Sequence, residues 1–232
     1  MLPVAILCGG KGTRIAEVAG DLPKSLIPVG GIPFLAHQLH WLRDSGATDV
    51  VLLTGPGGDQ ILAFAGNGSA WGLRIAYSDD AGRQRGTAGA VARALPVLGE
   101  AFLTVYGDTL LSADPTQVAA ALAPPYEGVM TVFHNQDRVL PSNARIEGEF
   151  VAAYDKQAGP GGMTHIDYGI SAFRASAFAG VSGERATDLA EVHRMLIARG
   201  TLRAFPVSDR WYEIGSPEGL AATERFVRAR MR

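Results

Sequence analysis

Hydrophobic and polar positions along the 232-residue chain follow two rhythms. Short, mostly apolar runs recur at residues 4–7, 50–54, 73–77, 102–105 and 129–134. Runs of this length, bounded by turn residues, predict strands buried on both faces. Between them the apolar positions fall three or four apart. Residues 34–44 set Leu35, Leu39 and Leu42 on one helical stripe that Gly46 ends. Residues 60–65 predict a short helix, 87–95 a helix of small residues, and 115–122 a helix opened by proline. This alternation, sustained to about residue 135, predicts an α/β fold with a doubly wound, mostly parallel sheet. From Asn143 the rhythm changes. Residues 144–146, 150–154 and 168–173 predict short strands around turns, a small β lobe; a helix at 187–199, a strand at 202–207 and an amphipathic helix from Pro217 follow. No repeat or low-complexity tract divides the chain, so residues 1–232 are expected to form a single domain.

Composition narrows the function. Hydrophobic residues make up 47% and charged residues 19%, enough apolar material for a core. A net charge of −2 gives no general attraction to nucleic acid or to an anionic membrane, and neither is expected as a partner. A polyphosphate ligand would therefore need a few placed cations and backbone amides. Cys8 is the sole cysteine, which fits a reducing compartment. The apolar start ends in glycine and reads as a strand rather than a signal peptide. No apolar run reaches the roughly 18 residues of a membrane span, so the expected location is cytoplasmic. Three of the 21 basic residues are lysines, Lys11, Lys24 and Lys156, and two of these fall in motifs.

The richest segment is Leu7-Cys8-Gly9-Gly10-Lys11-Gly12-Thr13-Arg14, directly after the first strand. Three glycines let backbone amides approach a phosphate chain, and Arg14 offers a fixed fork for its oxygens. Lys24, in Pro23-Lys24-Ser25, is a point charge able to fold over the same ligand. The dinucleotide fingerprint is excluded because Ile15 stands where its third glycine belongs, and no Gly-Lys-Ser/Thr of a P-loop is present. A ligand-free glycine turn explains the glycines alone, but not Arg14 and Pro23-Lys24 beside them.

This segment resembles the nucleotide-binding signature of the sugar-1-phosphate nucleotidylyltransferases, L-A-G-G-x-G-T-R-L followed by P-K-x-L-x-P-V, with Cys8 in place of alanine. The resemblance implies a Rossmann-like nucleotidyltransferase fold with nucleotide-binding and sugar-phosphate-binding halves, 1–135 and 136–232. It implies nucleotide contacts from Leu7, Gly9, Gly10, Gly12, Thr13 and Arg14, with Arg14 and Lys24 acting on the reacting phosphates. Arg85-Gly86-Thr87-Ala88-Gly89-Ala90 resembles the family's G-T-A-G-A turn and adds Gly86 and Thr87; a helix start built of small packing residues is the other reading. Tyr106-Gly107-Asp108 resembles the G-D whose aspartate holds Mg²⁺, and a carboxylate at the carboxyl end of a parallel strand is where α/β folds place ligand chemistry. Asp108 could instead open a turn.

Later segments extend the likeness. Tyr154-Asp155-Lys156 resembles an E-K whose lysine binds the sugar phosphate, here with Asp155 for glutamate. Ile166-Asp167-Tyr168-Gly169-Ile170 resembles the strand that closes the sugar pocket; Asn143 and Asp167 read equally as site or turn residues. Trp211-Tyr212-Glu213-Ile214-Gly215-Ser216 resembles W-x-D-x-G-T, with Glu213 where the family's second Mg²⁺ ligand is aspartate. Glutamate still binds Mg²⁺, but through one more methylene. The five histidines show no metal-ligand spacing. None is needed as a base, because a sugar-1-phosphate, with a second pKa near 6, is mostly dianionic at neutral pH.

The expected partners are a nucleoside triphosphate and a sugar-1-phosphate, joined with release of pyrophosphate. The combined motifs look most like the short heptose-1-phosphate guanylyltransferase members, which implies GTP and a manno-heptose-1-phosphate in nucleotide-sugar biosynthesis for a polysaccharide. UTP, CTP or dTTP with a hexose- or N-acetylmuramate-1-phosphate stays open. So do a non-catalytic nucleotide-sugar sensor, molybdopterin guanylylation and a homodimeric state.

Overall fold

A computed structural model describes residues 1–10, 15, 20–80, 82–136, 138, 140–182 and 185–230. Residues 1–135 contain β1 (Val4–Leu7), the two-residue strands β2 (Pro28–Val29) and β3 (Ile32–Pro33), α1 (Phe34–Asp44), β4 (Asp49–Thr54), α2 (Gly58–Ala65), β5 (Arg74–Asp79), α3 (Gly86–Leu98), β6 (Ala101–Tyr106), β7 (Thr109–Leu110), α4 (Pro115–Ala120) and β8 (Gly128–His134). The remainder contains β9 (Ala144–Glu147), β10 (Phe150–Tyr154), β11 (His165–Arg174), α5 (Leu189–Arg199), β12 (Leu202–Val207), β13 (Tyr212–Glu213) and α6 (Pro217–Arg230).

One nine-stranded sheet, in the order β5-β4-β1-β6-β11-β8-β12-β10-β9, organises the molecule. The first four strands are parallel, as the alternation predicts. The sheet as a whole is mixed, because β11 runs antiparallel to both β6 and β8. The strands expected to form a small β lobe are continuous with this sheet: β9 and β10 pair with one another, and single pairings tie them to β11 and β12.

Both faces of the sheet are covered, which is why its central strands read as mostly apolar runs rather than as a strict alternation. Val4 and Ile6 point to one face, where Leu35, Leu39 and Leu42 of α1 pack with Leu52, Leu103 and Val105. Ala5 points to the other, where Val51 and Phe102 meet Ala88, Val91 and Leu98 of α3 and Leu189 and Leu196 of α5. Helix α3 runs three residues beyond its expected end, through Pro96, and closes at Gly99, whose N–H donates to the Leu95 oxygen at 3.0 Å. Helix α5 begins two residues later than expected. Asp188 caps it by accepting from the Ala190 N–H at 2.8 Å, while Glu191 accepts from the Asp188 N–H at 3.3 Å, a capping box.

Candidate active site

The carboxyl ends of β1 and β6 lie side by side, and the segments leaving them form one floor. Gly107 donates its N–H to the Leu7 oxygen at 3.2 Å, and a Cβ at Gly107 would overlap that carbonyl. Gly9 passes the loop after β4 just as closely: a Cβ on Gly55 would stand 3.3 Å from Gly9 Cα. Above this floor opens a cleft of about 340 Å³. Leu7, Cys8, Gly9 and Gly10 line it together with Lys24, Leu53, Pro56, Tyr106 and Asp108, and the segment from Asp80 to Thr87 contributes Asp80, Arg83, Gln84, Arg85, Gly86 and Thr87. Of the expected nucleotide contacts, Leu7, Gly9, Gly10, Gly86 and Thr87 are thus on the cleft wall. Gly12, Thr13 and Arg14 lie outside the described residues.

Lys24 stands in a single helical turn, Lys24–Leu26, that Pro23 introduces. Its Nζ donates to Asp108 Oδ2 at 2.5 Å; Lys24 is largely shielded from solvent, whereas the Asp108 side chain is 35% exposed. Glu213 is brought alongside by the pairing of β13 with β7, which sets it opposite Thr109. All three groups surround Gly215: a methyl there would lie 2.6 Å from Glu213 Oε2, 3.0 Å from Lys24 Nζ and 3.5 Å from Asp108 Oδ2. Glu213 also accepts from the Gly215 N–H and from the Ser216 hydroxyl, the latter at 2.6 Å. No cluster of three or more His, Cys, Asp or Glu side chains suited to a metal occurs among the described residues. Two converging carboxylates nonetheless fit Mg²⁺, an oxygen-seeking ion that is held through one or two carboxylates with water and substrate phosphates completing its shell.

A second polar cluster adjoins the first through Tyr106. Lys156 Nζ donates to Asp188 Oδ1 at 2.7 Å and lies over the Tyr106 ring, 5.8 Å from its centroid. Burial works to raise the Asp188 carboxyl, but hydrogen bonds from Lys156, the Ala190 N–H and Thr87 together hold it below the usual carboxylate range. Asp167 Oδ2 accepts from Tyr106 at 2.9 Å and from Tyr154 at 3.1 Å, while its Oδ1 takes the Gly169 N–H. Burial, with the Asp167 charge adding to it, raises both phenols. Asn143 holds this strand in place by accepting the Asp167 N–H at 2.9 Å. Gly169, at φ 107°, sits at the register shift of β11; a Cβ there would crowd Tyr106 at 3.3 Å. Asp155 stands apart from this cluster. It is exposed and turns the chain by accepting the Gln157 N–H at 2.9 Å.

Several site residues were not anticipated. Asp188 partners Lys156, and its signal was the Asp-x-x-Glu that opens α5. Tyr106 and Tyr154 precede Gly107 and Asp155 in the quoted motifs, but nothing in their spacing announced a shared carboxylate. The stretch from Asp79 to Arg85, which the resemblance implies reads the base although its pattern names no contact, places Asp80, Arg83 and Gln84 on the cleft wall. Beneath Tyr154, His193 is fully buried, its ring stacked on Phe173 with centroids 5.5 Å apart and set edge to face against Tyr154. Neither of its ring nitrogens has a hydrogen-bond partner, and burial lowers its pKa to about 4.

Comparison with known proteins gives the same picture. The model of the MobA-like NTP transferase domain family matches residues 4–204. The N-acetylmuramate alpha-1-phosphate uridylyltransferase of Neisseria meningitidis serogroup B is 31% identical over 218 residues, covering 91% of this chain and 92% of that protein. The D-glycero-alpha-D-manno-heptose 1-phosphate guanylyltransferase of Aneurinibacillus thermoaerophilus is 34% identical over 110 residues, 47% of each chain. Among solved structures, HddC from Yersinia pseudotuberculosis complexed with GMP-PN shares the fold with a TM-score of 0.82 at 21% identity, over 98% of this chain and 100% of that one. With a family model across most of its length and a relative aligned nearly end to end, the chain belongs to the MobA-like NTP transferase domain family, as one of its sugar-1-phosphate nucleotidylyltransferases.

Proposed function

We propose that the chain transfers the nucleotidyl group of GTP to a manno-heptose-1-phosphate, releasing pyrophosphate, and that Mg²⁺ is the metal it uses. The observation that carries the transfer is the convergence around Gly215 of Glu213 with Lys24 and Asp108, two residues of the cleft wall. A phosphate oxygen of the sugar-1-phosphate forms a bond to the α-phosphorus while the bond from that phosphorus to the bridging oxygen of pyrophosphate breaks. The nucleophile is already an anion, so repulsion between two anions is the obstacle rather than proton removal. Lys24, Arg14 and the amides of the opening loop offset that charge on the nucleotide side, and Lys156 does so for the sugar phosphate. Mg²⁺ held by Asp108 and Glu213 would add neutralisation and alignment of the phosphates.

Guanine is favoured by Asp80. Its side chain is 14% exposed on the cleft wall. A carboxylate accepts hydrogen bonds only, which suits the adjacent N1–H and N2 amino donors on the pairing edge of guanine. UTP with N-acetylmuramate-1-phosphate is the second reading, favoured by the relative aligned over nearly the whole chain. Pyrophosphate release measured across nucleoside triphosphates and sugar-1-phosphates, with Mg²⁺ present, tests both. Release with GTP and the heptose phosphate that falls on Asp80→Ala supports the first. Release with UTP alone replaces it with the second, and no release with any pair leaves the sensor.

A further inference from the structure

Glu213 replaces the aspartate of the family's W-x-D-x-G-T, and its extra methylene has to go somewhere. The side chain folds back against the start of α6, where its carboxyl lies in a cradle formed by Gly215, Ser216 and Gly219. Gly219 is inside the helix, one turn from Gly215. A Cβ at Gly219 would overlap the Glu213 carboxyl outright, meeting both Oε1 and Cδ, and would lie 2.9 Å from the Glu213 backbone oxygen. The three atoms nearest to it all belong to Glu213. Its φ is not positive, so no backbone conformation demands glycine there. By helix propensity alone, alanine would be better by about 1 kcal/mol. Two things therefore call for the glycine, the Glu213 backbone oxygen that a Cβ would approach to 2.9 Å and the space that the glutamate carboxyl occupies.

We propose that Gly219 is a positioning residue for the metal site: its missing side chain lets the longer Glu213 withdraw by one methylene, so that Oε2 is presented beside Asp108 Oδ2 and Lys24 Nζ at Gly215. Glu213 and Gly219 act as a pair that stands in for the family's aspartate. This rests on Glu213 being a metal ligand, as proposed above.

A double-mutant cycle tests the pair, read by Mn²⁺ titration of the full chain with electron paramagnetic resonance of the free ion, and checked for folding by circular dichroism. Gly219→Ala in the parent is expected to weaken Mn²⁺ binding by about tenfold or more, the scale of losing a ligand's orientation. In a Glu213→Asp background, where no carboxyl reaches position 219, the same substitution should change affinity by less than about twofold, since the sites no longer couple. The close approach to the position-213 backbone oxygen is common to both backgrounds and cancels. Equal losses in the two backgrounds, or no loss in the parent, would overturn the pairing while leaving the metal reading intact. A parent that binds no Mn²⁺, or binds it as well after Asp108→Asn, would overturn the metal reading and the pairing with it.

Discussion

Lys24 and Asp108 are held by different loops, one following Pro23 and the other leaving β6, yet they meet at 2.5 Å. That meeting ties the two motifs to one site. Replacing Lys24 by alanine removes a preorganised cation from the reacting phosphates and should raise the barrier by about 3–4 kcal/mol; kcat/KM for pyrophosphate release checks it, and a loss under tenfold would refute the role. Arg14→Ala is expected to behave alike. A different outcome is expected for Tyr154→Phe, which removes one of the two phenolic donors to Asp167. That change should lower folding stability by about 1.5–3 kcal/mol, as for a hydrogen bond to a charged group, readable as a shift of the urea midpoint. At this scale the sequence singled out Lys24, Asp108 and Lys156 by the demands of phosphate chemistry, and the structure brings the first two together on the cleft wall. The sequence was opaque where the partner does double duty. The Asp-x-x-Glu marks Asp188 as a helix cap, and that ordinary role hides that it also holds Lys156.

Helix α5 carries a second device, His193, which faces Phe173 and Tyr154 with no polar partner for its ring. The folded chain keeps it neutral down to about pH 4, against an ordinary value of 6.5. Between those values the unfolded chain binds a proton that the folded chain refuses, so stability is present above the ordinary value and is lost as pH falls. His193 should remove about 2 kcal/mol of stability between pH 7 and pH 5. His193→Phe should lack that component, and urea unfolding at the two pH values measures the difference; an identical pH dependence in both proteins would refute it. Elements with a strong period, such as α1 and β12, were legible to the residue. The two-residue pairs β2/β3 and β7/β13 were not, because so short a strand has no period and is created by its tertiary partners. β13 nonetheless sets Glu213 against β7, so the least visible elements place a site carboxylate.

At the scale of the molecule, the halves 1–135 and 136–232 that the resemblance implies are not separate structures. β11, from the second, lies between β6 and β8 of the first. Gly86, at φ 69°, is pressed against Thr187, whose oxygen receives the Ala88 N–H at 2.9 Å. A chain ending at residue 135 is therefore expected to show no cooperative unfolding transition by circular dichroism, whereas the full chain shows a single one; a cooperative transition in the fragment would refute the single unit. The class of fold followed from the alternation of strands and helices. The place of β11 did not, because local pattern carries no information on which distant strands a buried run will separate.

That place has a temporal consequence. A ribosome delivers β6 and β8 before β11 exists, and the two cannot pair with each other in the finished arrangement. Until the chain has been synthesised past Arg174, β6 lacks its partner on one side and β8, whose other neighbour β12 comes later still, lacks both, leaving unpaired backbone of the kind on which nascent chains stick to one another. A pause in translation between His134 and Arg174 would prolong that exposure, whereas the same pause after Arg174 would come when the gap between β6 and β8 could already be filled.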